Sequence, residues 1–528
     1  MTIQNAIAAG KTALGIELGS TRIKAVLIGE DHTVLAGGSF SWENRLENNL
    51  WTYHLDDAVR GLQESFADLA ADVRSKYGVE LTTIGAIGIS GMMHGYLALD
   101  KEDKQLAPFL TWRNTNTTAA ANELTELFQF NVPLRWSISQ LYQAILNGED
   151  HVPQVDYITT LAGYIHYLLT GKRVMGVGEA SGMFPIDSVI MDYDQKMLDQ
   201  FDALIADRGF TWKIRDILPK VLVAGQDAGC LTADGAKLLD PTGKLRSGIP
   251  MAPPEGDAGT GMVATNSVDA CTGNVSAGTS IFSMVVLEKK LSKLYRDIDM
   301  VTTPSGRPVA MVHCNNGASE LDAWMRMFGE ILSAVGAEVS GGELYGKLFN
   351  ESLKGAADCD DVTLYNYISG EPVTGLTDGR PLLVRRKDSK LSLANFMRSQ
   401  IYSIFASLAV GHRILHVENV HIKRLTGHGG LFKTPGVAQK YLAAAMDAPV
   451  TVMKTAGEGG PYGMALLAAY LLKAKETTLE EYLEHVVFGD AEGSTMEPDA
   501  ADVAGYAAYL KVYCDALDLE HTAVRCVK

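Results

Sequence analysis

Two short turns in the sequence carry groups suited to holding a polyphosphate. Glu17-Leu18-Gly19-Ser20-Thr21 precedes an apolar run beginning at Ile23, and Ser276-Ala277-Gly278-Thr279-Ser280 precedes the run Ile281–Leu287. Each puts glycine and hydroxyl residues between two apolar strands, where backbone N–H groups and hydroxyls can face phosphate oxygens. Taken singly, such a turn reads as an ordinary hairpin. Their matching placement, one opening each half of the chain, points to two domains clamping one polyphosphate. A third turn, Gly427-His428-Gly429-Gly430, follows a later strand. Asp257 follows Pro253-Pro254-Glu255-Gly256 and precedes Gly259 and Gly261. By residue type alone it caps a helix beginning near Ala258. His94, in Met92-Met93-His94-Gly95, reads as a loop histidine, and Trp112 as a core ring.

The elements that would position these residues follow from periodicity. Ala13–Leu18, Ile23–Ile28 and a run from Val34 read as a meander of strands. Leu55, Val59, Leu62, Phe66, Leu69 and Val73 share one helical face. Ile84–Ile89, closed by Ser90-Gly91, reads as a buried strand. The second half repeats the scheme: strand–turn–strand over Val275–Leu287, a strand at Pro308–His313, and helices at Ala318–Val335 and Leu393–Val417. Strands at Val420–Thr426 and Val450–Met453 then alternate with helices at Val437–Met446 and Gly463–Lys473. The pattern predicts a mixed α/β architecture stated twice.

Composition bounds the rest. A length of 528 residues predicts two or three domains. With 47% hydrophobic and 21% charged residues, the chain has enough apolar surface to fold, which excludes intrinsic disorder. A net charge of −17 excludes a nucleic-acid binder working through overall charge. It does not exclude a nucleotide, which oriented N–H groups, hydroxyls and a metal ion can hold. The six cysteines form no CxxC pair, so no zinc or redox motif is indicated. Met1–Lys11 lacks the pattern of a signal peptide, and no run of about 18 apolar residues occurs. A cytoplasmic protein without membrane or nucleic-acid partners is expected, with a homodimer as the default oligomer.

In their order, these motifs resemble those of the FGGY family of carbohydrate kinases over most of the chain. Gly15–Lys24 is similar to the family's first phosphate hairpin, and Gly278-Thr279-Ser280 to the second. Met93-His94-Gly95 resembles the sugar-contacting element of xylulokinases, and Trp112 stands in the family's sugar loop. Gly256-Asp257 resembles the strand end carrying the catalytic base. Tyr367–Glu371 resembles a Tyr-Leu-x-Gly-Glu-Arg turn, Gly427–Gly430 the adenosine motif, and Gly457–Tyr470 the last nucleotide-side helix.

The resemblance implies two actin-like, ribonuclease H-like domains facing a cleft, residues 1–265 binding the sugar and 266–528 the nucleotide. It implies phosphorylation of a ketopentose, xylulose- or ribulose-like, with ATP and Mg²⁺ as cofactors. Asp257 would be the general base. Met93, His94, Gly95, Trp112, Asn114 and Glu255 would contact the sugar. Gly19, Ser20, Thr21, Gly278, Thr279 and Ser280 would hold phosphates, and Gly427, Gly429 and Gly430 the adenosine. Glu17 and Asp257 would face the metal through water.

Four departures stand out. Glu17 replaces the usual Asp, and Trp112-Arg113-Asn114-Thr115-Asn116 replaces Trp-Asn-Asp-x-Arg. Glu255 replaces Gly, and Tyr402 replaces a helical Glu. Glu255 would either orient a sugar hydroxyl or repel Asp257. The departures leave open a kinase for another polyol or ketohexose, or a non-kinase actin-like ATP-binding sensor.

Overall fold

A computed structural model describes residues 1–453, 459–490 and 492–528. The first sheet begins with three antiparallel strands, β1 (Thr12–Leu18), β2 (Arg22–Gly29) and β3 (Val34–Ser41). The helix α1 (Leu55–Tyr77) packs its apolar stripe on them and ends at Gly78 in the left-handed conformation. β4 (Ala86–Gly91) and β5 (Glu255–Gly256) then add in parallel, giving the order β5-β4-β1-β2-β3. α2 (Asp257–Ala264) leaves directly from β5.

The second sheet restates this plan. β6 (Thr272–Ala277), β7 (Ile281–Val286), β8 (Asp299–Thr302) and β9 (Pro308–Cys314) pair antiparallel. After α3 (Leu393–Val417), β10 (Arg424–His428) joins β6 in parallel; α4 (Val437–Met446) leads to β11 (Val450–Met453), parallel to β10. α5 (Gly459–Leu471) and an edge strand β12 (Gly493–Met496) follow. The order is β8-β9-β7-β6-β10-β11-β12. The strand expected at Val420 begins instead at Arg424. Asn419 turns the chain in the left-handed region, and the Val420 N–H still donates to the Leu415 carbonyl, so the helix end consumes the first residues of the apolar run.

The expected division near residue 265 falls between α2 and β6, but packing does not follow it. α5, late in the chain, lies on the first sheet against β1 and α2. Glycines make this approach possible. A Cβ on Gly15 of β1 would collide with the Pro461 carbonyl and the Ala465 N–H, and one on Gly463 with the Thr260 carbonyl. The first two residues of the Gly457–Tyr470 motif lie outside the described residues. No helix among the described residues is long and apolar enough to cross a membrane.

Candidate active site

A cavity of about 410 Å³ opens between the two sheets. Its walls bring together Glu17, Ser20, Met93, His94, Trp112 and Asp257 from the first half with Asn274, Ser276, Ser280, His313 and His428 from the second. An adjoining cleft exposes Glu17, Gly19, Ser20, Thr21, Lys24 and Asp257.

Asp257 is the first residue of α2, with Gly256 rather than Asp257 at the N-cap. Its Oδ1 accepts the Met93 N–H at 2.9 Å. This bond ties the acid to the loop carrying His94. Burial raises its pKa, opposed by hydrogen bonds from the Met93 and Ala258 N–H groups. Two carboxyls lie behind it. Glu255 Oε2 accepts the Glu179 N–H at 2.9 Å, and burial pushes Glu255 up to about 8. A Cβ on Gly256 would collide with the buried Glu179 carboxyl, which fixes glycine before Asp257.

Glu255 thus braces the short helix Val177–Ala180 and does not line the cavity, correcting its expected sugar contact. Asn114 is corrected likewise. It is buried, with Oδ1 accepting the Trp51 N–H at 2.9 Å and Nδ2 donating to the Trp51 carbonyl at 2.8 Å, so its amide closes a loop. Gly95 does not reach the cavity wall; its φ of 106° serves the turn, and a Cβ there would meet Phe109 and the Leu110 carbonyl.

His94 is buried with a positive φ of 73°. Its Nδ1 lies 3.2 Å from the Gly182 carbonyl, which can only accept, so Nδ1 carries the proton and Nε2 is left as an acceptor. Burial holds its pKa well below the usual range, and Arg135 adds to this. The Trp112 indole donates to Ser20 Oγ at 3.4 Å, joining its loop to the first hairpin.

That hairpin is braced from behind. The Trp42 indole donates to the Gly19 carbonyl at 2.7 Å, Tyr53 Oη to the Ser20 carbonyl at 2.6 Å, and the Trp42 N–H to the Thr21 carbonyl at 3.2 Å. With the carbonyls held back, the Ser20 and Thr21 hydroxyls stay on the open side. Glu17 stands opposite Lys24 in the β1–β2 register, so both side chains share one face, and Lys24 reaches the cleft rather than only lining its strand. Burial and then the Asp257 charge push Glu17 up to about 8, while Lys24 pulls it down.

The second hairpin has an equivalent brace. The Gly317 N–H donates to the Thr279 carbonyl and the Ala318 N–H to the Gly278 carbonyl, both at 2.8 Å. Asn316 secures these donors: its Oδ1 accepts the Ile368 and Ser369 N–H groups at 3.0 and 3.1 Å, and its Nδ2 donates to Glu371 Oε2 at 3.1 Å. The Tyr367–Glu371 motif is thus a strut behind the second hairpin turn. Burial pushes Glu371 up to about 7 from the ordinary 4.5. Such a group contributes full stability below pH 4.5 and loses it as pH rises through about 7. Glu371→Gln, neutral at every pH, should gain on the wild type by about 2.5 kcal/mol between pH 5 and pH 8. Thermal melts at the two pH values check this; a constant difference refutes the assignment.

Of the adenosine-motif glycines, Gly430 faces open space. Gly427 is required by the Phe432 ring and Gly429, at φ 103°, by the Ala277 carbonyl. Composition and motif reading missed Arg135, Asn274 and His313. Asn274 Oδ1 is buried without a partner, and its Nδ2 lies 3.4 Å from His428 Nε2. Burial holds His313 at about 3 and His428 at about 4, so both are neutral.

Two lobes of one topology, closing on carboxyls and braced hydroxyl turns, have the architecture of a two-domain phosphotransferase acting on an alcohol group. Family models for carbohydrate kinases match in two parts, the FGGY N-terminal domain over residues 12–263 and the FGGY C-terminal domain over 273–472. The chain belongs to the FGGY family of carbohydrate kinases.

A xylulose kinase of Escherichia coli (strain K12) is 25% identical over 53% of this chain and 55% of its own, so that match spans about half of the relative. A xylulose kinase of Haemophilus influenzae is 21% identical over 93% of this chain and 97% of its own. The fold matches structures from Lactobacillus acidophilus described as a ligand-bound xylulose kinase and a gluconate kinase. Each has a TM-score of 0.78, 17% identity, and coverage of 96% of this chain and 98% of the other. The likeness is equal for two differently named enzymes, so the fold does not select the sugar. Both lobes carry the expected actin-like fold.

Proposed function

We propose that the protein transfers the γ-phosphoryl group of Mg-ATP to a hydroxyl of a ketopentose, xylulose- or ribulose-like, with Asp257 as general base. The observation that carries this reading is one cavity holding Asp257, His94 and the Ser20 and Ser280 hairpins, with the base hydrogen-bonded to the sugar loop. The names of the two relatives support a ketopentose.

In this reading the first half, to residue 265, binds the sugar and the remainder the nucleotide. His94 Nε2 accepts from a sugar hydroxyl, and Trp112 covers a sugar face. Asp257 takes the proton of the attacking hydroxyl as the oxygen–phosphorus bond forms and the bond to the leaving ADP oxygen breaks. Ser20, Thr21, Thr279 and Ser280 orient the β- and γ-phosphates, and Gly430 gives adenosine access to backbone. Glu17 and Asp257 suit Mg²⁺: two carboxyls face one cleft, each raising the cost of the other's charge, and a divalent cation removes that cost. Mg²⁺ is commonly held by one or two carboxylates plus phosphates, and these two carboxyls could supply that share. Such an ion would neutralise phosphate charge.

ADP release coupled to a panel of ketoses and polyols tests the reading. Release is expected with a ketopentose. Folded, ATP-binding protein that no sugar stimulates would overturn it.

A further inference from the structure

Arg135 is a cation in the cavity wall that no motif announced. It lies just before the helix Ser137–Asn147, beside His94. Its guanidinium forms an ion pair with Asp299, at the start of β8 in the other lobe. Asp299 is fixed in turn: Asn131 Nδ2 donates to its Oδ1 at 3.0 Å and to the Ile298 carbonyl at 3.0 Å. The two side chains are only 22% and 13% exposed, so solvent screens the pair weakly.

We propose that the Arg135–Asp299 pair sets the charge selectivity of the sugar site, admitting uncharged sugars and rejecting sugar acids of the same length. The proposal rests on the reading that this cavity takes the sugar. The other formally charged side chains on its wall are the carboxyls of Glu17 and Asp257. His94, His313 and His428 are neutral and supply no cation. Arg22 and Lys24 face the adjoining cleft at the first hairpin instead. A sugar carboxylate would therefore find at this wall one guanidinium, whose charge Asp299 already balances. A hydroxyl needs only a donor, and the pairing engages one nitrogen of the guanidinium, Nη2. Selectivity here comes from withholding a counter-charge.

The test compares kcat/KM for xylulose and ribulose with that for xylonate and gluconate, using the full chain. The wild type should strongly prefer the ketoses. Asp299→Asn keeps the size of the side chain and an acceptor for Asn131, but unbalances the guanidinium. It should raise the acid-to-ketose ratio at least about tenfold. Arg135→Met should raise the ketose KM, leave the ATP KM unchanged, and confer no acid activity. A measurement on the wild type alone serves if either variant fails to fold: xylonate should inhibit far more weakly than the neutral alditol xylitol. Equal inhibition, or an unchanged ratio in Asp299→Asn, overturns the role of the pair. Absence of phosphorylation of any neutral sugar overturns instead the reading of the cavity.

Discussion

Asp257→Ala is expected to lower kcat by about 10²–10⁴-fold while ATP still binds. The expectation rests on position. Asp257 opens α2, lines the cavity and has Oδ1 engaged by the Met93 N–H, which ties the carboxyl to the His94 loop. Alanine removes both the proton acceptor and the tie to the His94 loop, so the sugar KM should rise too. Asp257→Asn separates the two functions. It keeps an acceptor for the Met93 N–H but is a far weaker base, so kcat should fall as far while the sugar KM stays near wild type. Steady-state kinetics with nucleotide-binding calorimetry read this out. An active Asp257→Asn enzyme would remove Asp257 as the base.

Gly463→Ala is expected to have the largest effect on stability. The added Cβ would collide with the Thr260 carbonyl oxygen, where α5 and α2 pass backbone to backbone. No rotamer change relieves a collision with backbone, so the helices must separate at a cost of roughly 1–3 kcal/mol or more. The separation also moves Gly460, where a Cβ would collide with the Glu17 carboxyl, and shifts α2 under Asp257. Thermal melts should show a lower midpoint, and kcat should fall even where the variant remains folded. Gly329→Ala, on the helix Ser319–Ala334 with open space around its Cβ, should instead be neutral or stabilising by up to about 1 kcal/mol. Equal behaviour of the two variants would refute the close-approach argument.

Much of this architecture was legible because it rests on local signals. The Leu393–Val417 and Val437–Met446 helices and the Val450–Met453 strand have the ends that apolar periodicity predicts. The two Gly-hydroxyl turns are visible as composition and lie on one cavity as Ser20 and Ser280. What was not legible depends on contacts distant in sequence. Nothing local tells that the Asn114 amide closes on Trp51, or that Glu255 caps residues 178–179. Both are polar residues beside motif positions, and their hydrogen bonds are made inside the fold. Arg135 escaped for the opposite reason: it lies outside any motif, and only tertiary packing brings it to His94 and Asp299.

The seating of α5 on the first sheet has a consequence during synthesis. β1 and β4 leave the ribosome early, yet the helix that covers them, beginning at Gly459, emerges more than 360 residues after β4 ends at Gly91. At roughly 5–20 residues per second, the nascent chain spends tens of seconds with that apolar face uncovered. The first lobe therefore cannot mature on its own while translation proceeds, and a chain stalled before Gly459 would be a natural client for chaperones that shield exposed apolar surface.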